Sequence, residues 1–197
     1  MLRTLLGALL LLLSWASAAA AQTEPNRTYV DPRLTPRVER APLPTALARP
    51  RVTSEVRVGE RAPDFELEDT GGSRVKLSAM RGQWVALCFV GRREGVTALQ
   101  RVQTELAPRG VRVVAVCAEK AHSLKRFVNE HPTSVLALAD PMSDVACLYG
   151  LYDATRDRSL PGLVLLDIEG RVRLAIMGQA LPEEDVARIV QYAVAGF

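Results

Sequence analysis

Three cysteines offer the most direct chemistry in this 197-residue chain, because a thiolate is both a nucleophile and a metal ligand. Cys88, Cys117 and Cys147 stand far apart, so the sequence has neither a C-x-x-C pair nor a zinc-type cysteine spacing. The two histidines, His122 and His131, lie nine positions apart, without a cysteine or carboxylate at ligand spacing. We therefore expect no metal site and no other cofactor.

Other familiar catalytic and binding motifs are absent from the sequence. It contains no phosphate-binding glycine loop, no G-x-S-x-G nucleophile elbow and no aromatic, basic stripe typical of nucleic-acid binding. Arg92 and Arg93 precede a predicted helix, whose N-terminus attracts anions. The two arginines are interpreted either as an anion-binding pair or as solvated loop charges, and the sequence leaves both interpretations open.

The formal net charge of +3 is unevenly distributed. Residues 22–58 hold seven arginines against four acids, whereas the chain from Gly59 onward holds 17 basic and 18 acidic residues. A nearly neutral domain behind a basic segment predicts no nucleic-acid partner. The basic segment is best interpreted as a solvated linker, with contact to anionic lipid or an acidic partner as the alternative.

The first residues carry the pattern of an export signal. Arg3 is followed by an apolar run over residues 5–13 and a run of small residues over 16–21. The apolar core is short for a membrane span, which needs about 20 residues. We predict a signal peptide over residues 1–21 and a periplasmic or secreted bacterial protein. The alternative is a retained membrane anchor.

Residues 22–57 predict a flexible linker, because prolines at high density disfavour helices and sheet ladders. Six prolines interrupt this stretch, namely Pro25, Pro32, Pro36, Pro42, Pro44 and Pro50. The folded domain is predicted over residues 58–197, beginning with a hairpin whose arms are residues 65–67 and 75–77. Ser78 is predicted to cap a short helical turn after this hairpin.

Two continuous apolar runs predict the central strands of a parallel sheet that is covered on both faces. These runs are residues 84–90 and 111–117, and a helical apolar repeat lies between them. The combination predicts a βαβ unit. The remaining predicted elements are a helix around residues 124–128, a strand at 135–138, a helix at 143–149, a hairpin of strands 163–166 and 172–176, and a final helix from Pro182.

Three phrases in this order resemble the alkyl hydroperoxide reductase/thiol-specific antioxidant (redoxin, peroxiredoxin-like) family of the thioredoxin-like superfamily. Residues 58–67 resemble the family's opening motif, G-x-x-A-P-D-F-x-L. Residues 75–82 resemble the motif that follows it, L-S-x-x-R-G, and residues 160–170 resemble the later motif P-x-x-F-L-I-D-x-x-G. The resemblance spans residues 58–197. It implies a three-layer α/β fold, with a central mixed β-sheet, helices on both faces and an N-terminal β-hairpin.

The resemblance also indicates where the active site would lie. In this fold the proline at position 161 is typically cis and faces the loop after the central strand, so we predict a cis Leu160–Pro161 bond. The alternative is a trans proline at the start of an edge strand. The edge around this proline binds extended peptides in related proteins, which makes a peptide or protein the expected partner.

The family's redox cysteine is expected just after the central strand, at the start of the next helix. Residues 91–99 contain no cysteine. Glu94 and Thr97 align near the two positions of a C-x-x-C pair, and Ala98 aligns near the peroxidatic cysteine. Gly91 stands in place of the peroxiredoxin proline. Cys117 is the best remaining candidate for a reactive thiol, because it ends the second central strand at the sheet edge where such folds bind substrates. A structural role is the favoured interpretation of all three cysteines.

Two functional hypotheses follow. The first is an exported redoxin with an antioxidant or thiol oxidoreductase role, whose remaining activity would depend on Cys117. The second is a binding or scaffold protein of the cell envelope without thiol chemistry. Its recognition surface would comprise Pro161 and loop residues Gly91, Arg92, Arg93, Glu94 and Thr97.

Overall fold

The computed structural model describes residues 56–196. The predicted signal peptide and nearly all of the predicted linker lie outside the described residues. The strands are β1 (Glu66–Asp69), β2 (Arg74–Lys76), β3 (Trp84–Val90), β4 (Val111–Cys117), β5 (Leu136–Ala139), β6 (Tyr152–Asp153), β7 (Arg158–Ser159), β8 (Gly162–Leu166) and β9 (Val172–Met177). The helices are α1 (Glu94–Leu106), α2 (Ala121–Glu130), α3 (Asp144–Leu148) and α4 (Glu183–Ala195), with short 3-10 helices at Leu77–Met80 and Ala107–Arg109.

Seven of these strands form one mixed sheet in the order β2-β1-β5-β4-β3-β8-β9. The three central strands β5, β4 and β3 run parallel, while β1 and β8 flank them in antiparallel pairing. The pairing of β1 with β2 is the predicted N-terminal hairpin. The predicted α/β class with a central mixed sheet is therefore confirmed.

The central strand β3 separates two apolar layers. Ala86 and Cys88 belong to a cluster that includes buried residues of α1, α2 and α4. Leu87 and Phe89 belong to the opposite cluster, which includes buried residues of α3 and of the first 3-10 helix. Because side chains alternate along a strand, a strand buried on both faces has the continuous apolar run seen in the sequence.

The short helix after the hairpin is capped differently from the prediction. Ser78 is the second residue of this helix, so its hydroxyl does not cap it; the Asp64 carboxylate instead accepts a hydrogen bond from the Ser78 backbone N–H at 2.9 Å. Asp64 also pairs with Lys76 at 3.6 Å. Partial burial opposes ionisation of Asp64, but the hydrogen bonds from Ser78 and the charge of Lys76 outweigh it and lower its pKa. The acid of the opening motif thus stabilises the turn 14 residues later.

A second, two-stranded sheet of β6 and β7 was not predicted. Each strand has two residues, too few to show a hydrophobic period. The intervening turn is held by Asp153, whose Oδ1 accepts hydrogen bonds from the backbone N–H groups of Thr155 and Arg156 at 3.0 and 3.1 Å. Asp157 adopts a left-handed conformation there, with φ of 47°. Within residues 56–196, no helix has the length and apolar character to cross a membrane.

Tyr149 holds the opening motif, residues 58–67, against the rest of the domain. Its ring is fully buried between Phe65 and Phe89, with ring-centroid distances of 6.0 and 5.3 Å. Its hydroxyl donates to the backbone oxygen of Pro63 at 2.7 Å. This contact spans 86 residues of sequence, so it ties the opening motif to the turn that follows α3.

We predict that Tyr149→Phe lowers the free energy of unfolding by about 1–2 kcal/mol, because the Pro63 oxygen loses its donor in a partly buried site. Urea denaturation of the full chain measures this change. Tyr192→Phe is the matched control, because Tyr192 is exposed and its replacement should alter the free energy of unfolding by less than about 0.5 kcal/mol. Equal effects of the two substitutions would contradict the role assigned to the Tyr149 hydroxyl.

Candidate functional site

The loop between β3 and α1 forms the centre of the candidate site. Gly91 and Arg92 are exposed at the carboxyl end of the central strand. The chain enters α1 through a tight turn, in which the N–H of Gly95 donates to the oxygen of Arg92 at 3.0 Å and that of Val96 to Arg93 at 2.9 Å. The loop therefore presents its backbone and the Arg92 side chain at the sheet edge predicted for the site.

Glu94 and Thr97 help to form the beginning of α1. The exposed Glu94 carboxylate lies 3.5 Å from Arg93, in the first turn, where a negative charge stabilises the helix dipole. The Thr97 hydroxyl donates to the backbone oxygen of Glu94 at 2.8 Å. The side chains at the positions aligned with C-x-x-C therefore stabilise the helix start, and neither supplies a thiol.

The two adjacent arginines have different environments. Arg93 lies 3.8 Å from Glu119, in the connection between β4 and α2, and its guanidinium lies 5.5 Å above the Phe127 ring. These contacts join the start of α1 to α2. Arg92 is exposed, and within residues 56–196 it forms no ion pair with an acidic side chain. Of the predicted pair, Arg92 is thus the residue whose charge can reach a ligand.

All three cysteines are free and buried. Burial raises the pKa of Cys88 to about 12. Burial, together with the nearby charge of Glu119, raises that of Cys117 to about 12. Cys147 is buried in α3. Because the thiolate is the reactive species, Cys88 and Cys117 are protonated and unreactive at neutral pH. The catalytic role suggested for Cys117 stays a prediction, and its environment does not activate it.

An apolar cavity of about 210 Å³ and an open groove of about 860 Å³ lie beside the loop. Both are lined by Gly91, Arg92, Pro161 and Ala180, so they meet at the predicted Pro161 edge. The structure thus brings Gly91, Arg92 and Pro161 together. The predicted residues Arg93, Glu94, Thr97 and Cys117 line neither space.

Several lining residues were not predicted from the sequence. Cys88 lines the cavity although it lies within β3, and residues 179–181 approach it from the connection between β9 and α4. Arg158 of β7 lines the groove. The Gly178 turn marks the end of β9, but no periodicity or motif indicates that the following residues contact the β3–α1 loop.

The predicted cis bond before Pro161 is wrong: the Leu160–Pro161 bond is trans, and no peptide bond within residues 56–196 is cis. Trans is the lower-energy isomer of an X–Pro bond. Pro161 immediately precedes β8, where its missing N–H removes no ladder hydrogen bond. The N–H of Leu160 donates to the Leu151 oxygen at 2.8 Å. The structure thus matches the alternative of a trans proline at the start of a strand, although β8 lies inside the sheet.

Metal binding was not expected from the spacing of the histidines and cysteines. In the described part of the chain, no three His, Cys, Asp or Glu side chains cluster in a way that could hold a metal ion. His131 stacks on Phe127 with a centroid distance of 4.6 Å, and its Nδ1 lies 3.2 Å from the Phe127 oxygen. His131 therefore stabilises the C-terminal end of α2 through its contacts with Phe127.

A mixed sheet flanked by helices, with the candidate site between its central strand and the next helix, defines a thioredoxin-like fold. Solved peroxiredoxin structures share it. The peroxidoxin BcpB from Mycobacterium tuberculosis superposes with a TM-score of 0.64 at 16% identity, covering 72% of this chain and 98% of that one. The Enterococcus faecalis AhpC gives a TM-score of 0.63 at 17% identity, covering 71% and 93%. The predicted thioredoxin-like fold is confirmed.

The chain belongs to the AhpC/TSA family, whose model matches residues 58–175. It is similar to a putative chloroplastic peroxiredoxin Q of Oryza sativa subsp. indica, with 27% identity over 166 residues, covering 80% of this chain and 76% of the relative. It is also similar to the thiol-disulfide oxidoreductase ResA of Bacillus anthracis, with 24% identity over 136 residues, covering 66% and 75%. The predicted redoxin family is confirmed.

We predict that the folded protein resists alkylation. In iodoacetamide at pH 8, no cysteine should be modified during the time in which the urea-unfolded chain acquires three adducts, as counted by intact mass. A pKa of about 12 instead of 9.0 leaves Cys88 and Cys117 with roughly a thousandfold less thiolate at this pH. Rapid modification of one cysteine in the folded protein would contradict this assignment.

Single substitutions of the two arginines should separate their roles. Arg93→Ala removes the contacts with Glu119 and Phe127 and should lower the free energy of unfolding by about 0.5–1.5 kcal/mol. Arg92→Ala should change it by less than about 0.5 kcal/mol. Urea denaturation measures both values, and a larger loss from Arg92→Ala would reverse the assignment.

Proposed function

We propose that this chain is an exported, catalytically degenerate member of its family that binds an extended segment of a partner protein at the Pro161 edge. The meeting of the cavity and the groove at Gly91, Arg92 and Pro161 is the observation that supports binding. A site with an apolar recess and a few polar groups is typical of a ligand site. In this proposal the fold supplies a recognition surface without thiol chemistry.

The side chains at the start of α1 support the loss of catalysis. The family's chemistry needs a thiolate at a helix N-terminus, where unpaired N–H groups and the dipole stabilise the anion. Here Glu94, Thr97 and Ala98 occupy the aligned positions. The cysteines present elsewhere lie in the sheet and in α3, where they are buried.

The sequence of residues 1–21 supports export, because a basic start, an apolar run and a small-residue end are the features of a signal peptide. We place the mature protein in the periplasm or outside the cell. The proline- and arginine-rich residues 22–57 would act as a linker, with proximity to anionic membrane lipids as the additional role of its charge.

A thiol oxidoreductase or antioxidant role that uses Cys117 is the second candidate. One observation favours it: Ala118, the residue immediately after Cys117, lines the groove. The groove thus reaches the residue next to Cys117, although Cys117 itself does not line it. The burial that raises the pKa of Cys117 opposes this candidate, since it suppresses the thiolate.

The two candidates predict opposite effects of single substitutions. The immobilised full chain should retain a periplasmic protein, and Arg92→Ala should abolish its retention because this residue lines both the cavity and the groove. Cys117→Ser should leave retention unchanged. Arg126→Ala, at an exposed position of α2, is the charge-matched control and should also have no effect. Retained proteins are quantified by mass spectrometry.

A peroxide and disulfide turnover assay distinguishes the remaining outcomes. The binding proposal expects no turnover above the buffer rate. If wild-type protein turns over a hydroperoxide or a disulfide and Cys117→Ser abolishes this activity, the oxidoreductase candidate is correct instead. If retention is equal for all four proteins, the binding site does not lie at Pro161.

A further inference from the structure

The cavity beside the Pro161 edge has the character of a side-chain pocket. Its lining is mainly apolar and includes Cys88, Ala98, Leu99, Leu163, Leu181 and Val186. The polar side chains in the lining are Arg92, Gln179 and Glu183. An apolar protein cavity of about 150 Å³ is large enough to hold benzene. A volume of about 210 Å³ therefore suffices for a branched aliphatic or an aromatic side chain.

Small residues at the start of α1 leave this space open. Ala98 contributes only a methyl group, at the position aligned with the peroxidatic cysteine. A Cβ atom on Gly95 would lie 3.0 Å from Cγ1 of Val90, so a larger residue at this position would require the Val90 side chain to shift. The cavity thus lies where a bulkier first turn would fill it.

The adjoining groove carries a net positive charge. Arg92 and Arg158 line it and are both exposed, whereas its acidic lining residue, Asp157, accepts a hydrogen bond from the Tyr152 hydroxyl. A carboxylate near either arginine would gain a charge-assisted hydrogen bond. Charge complementarity therefore favours an acidic residue in a segment bound along the groove.

From this continuity of pocket and groove we infer a recognition rule that rests on the proposed function. The cavity receives one large apolar side chain of an extended peptide, and an acidic residue of the same peptide pairs with Arg92 or Arg158. Burial of the apolar side chain supplies affinity, and the carboxylate sets the position of the peptide. A small amphiphile could fill the cavity alone, but it would leave the groove unused.

Selection from a random dodecapeptide display library on the immobilised full chain tests this inference. Wild-type protein should enrich peptides that contain a leucine, isoleucine or phenylalanine near an acidic residue. Ala98→Leu fills the cavity and should abolish the apolar preference, while Leu181→Ala enlarges it and should shift the preference toward aromatic residues. Ala195→Leu, at the exposed far end of α4, is the matched control and should select as wild type does.

A selected peptide, labelled with fluorescein, then gives the affinity by fluorescence anisotropy. Replacing its apolar residue with alanine should weaken binding at least about tenfold, because burial of a leucine-sized side chain contributes more than the free energy of one tenfold step. Thermal denaturation of each variant establishes that it is folded. Leu181→Ala keeps the test decisive should Ala98→Leu fail to fold.

The outcomes separate this inference from the proposed function. If Arg92→Ala abolishes peptide binding while Ala98→Leu and Leu181→Ala leave selection unchanged, the pocket is not an anchor site, but binding at the Pro161 edge stands. If wild-type protein enriches no peptide above a blank surface, both fail. Should hexanoate or benzoate raise the melting temperature while no peptide binds, the cavity is a small-molecule site and the inference is wrong.

Discussion

Burial of the central strand β3 on both faces is the constraint on which the rest of this structure depends. Its side chains alternate between two apolar layers, so helices must cover the sheet on each side. The same burial fixes the state of Cys88: the thiol points into an apolar layer and loses the solvation that a thiolate requires. Cys117 shares this layer on the neighbouring strand. A pair of strands buried on both faces disfavours a reactive thiol, because burial suppresses the thiolate.

The sequence predicted the parts of the fold that follow from hydrophobic patterning. Residues 84–90 and 111–117 form strands with the predicted bounds, because continuous apolar runs of this length have few other stable arrangements. Patterning was less informative at the ends of elements. The cap supplied by Asp64 comes from 14 residues away, and the two-residue strands β6 and β7 depend on turn contacts of Asp153. The Asp64 cap depends on a tertiary contact and the two short strands on a local turn, and neither feature follows from a hydrophobic period.

The candidate site, like the fold, was predicted from the sequence only in part. Gly91, Arg92 and Pro161 were predicted from family motifs, and the structure brings them together. The different roles of the two arginines were not predictable from the sequence. They depend on Glu119 and Phe127, which contact Arg93 only after α2 has packed. The cavity was equally hidden, because it depends on how residues 179–181 pass over the start of α1. A cavity leaves no recognisable pattern in the amino-acid sequence.

The first turn of α1 carries both the side chains that stand at the family's cysteine positions and the small residues that border the apolar cavity. A redox cysteine at the start of α1 needs a helix end that is open to substrate and rich in unpaired N–H groups. In this chain Glu94 complements the helix dipole and Thr97 forms a hydrogen bond within the first turn, so this helix start is stabilised without a thiolate. Ala98 then leaves room beside Cys88 and Leu99 for an apolar group. The start of α1 is therefore stable without a cysteine, and its small side chains border the cavity at the carboxyl end of β3. A binding function needs no further change in the fold.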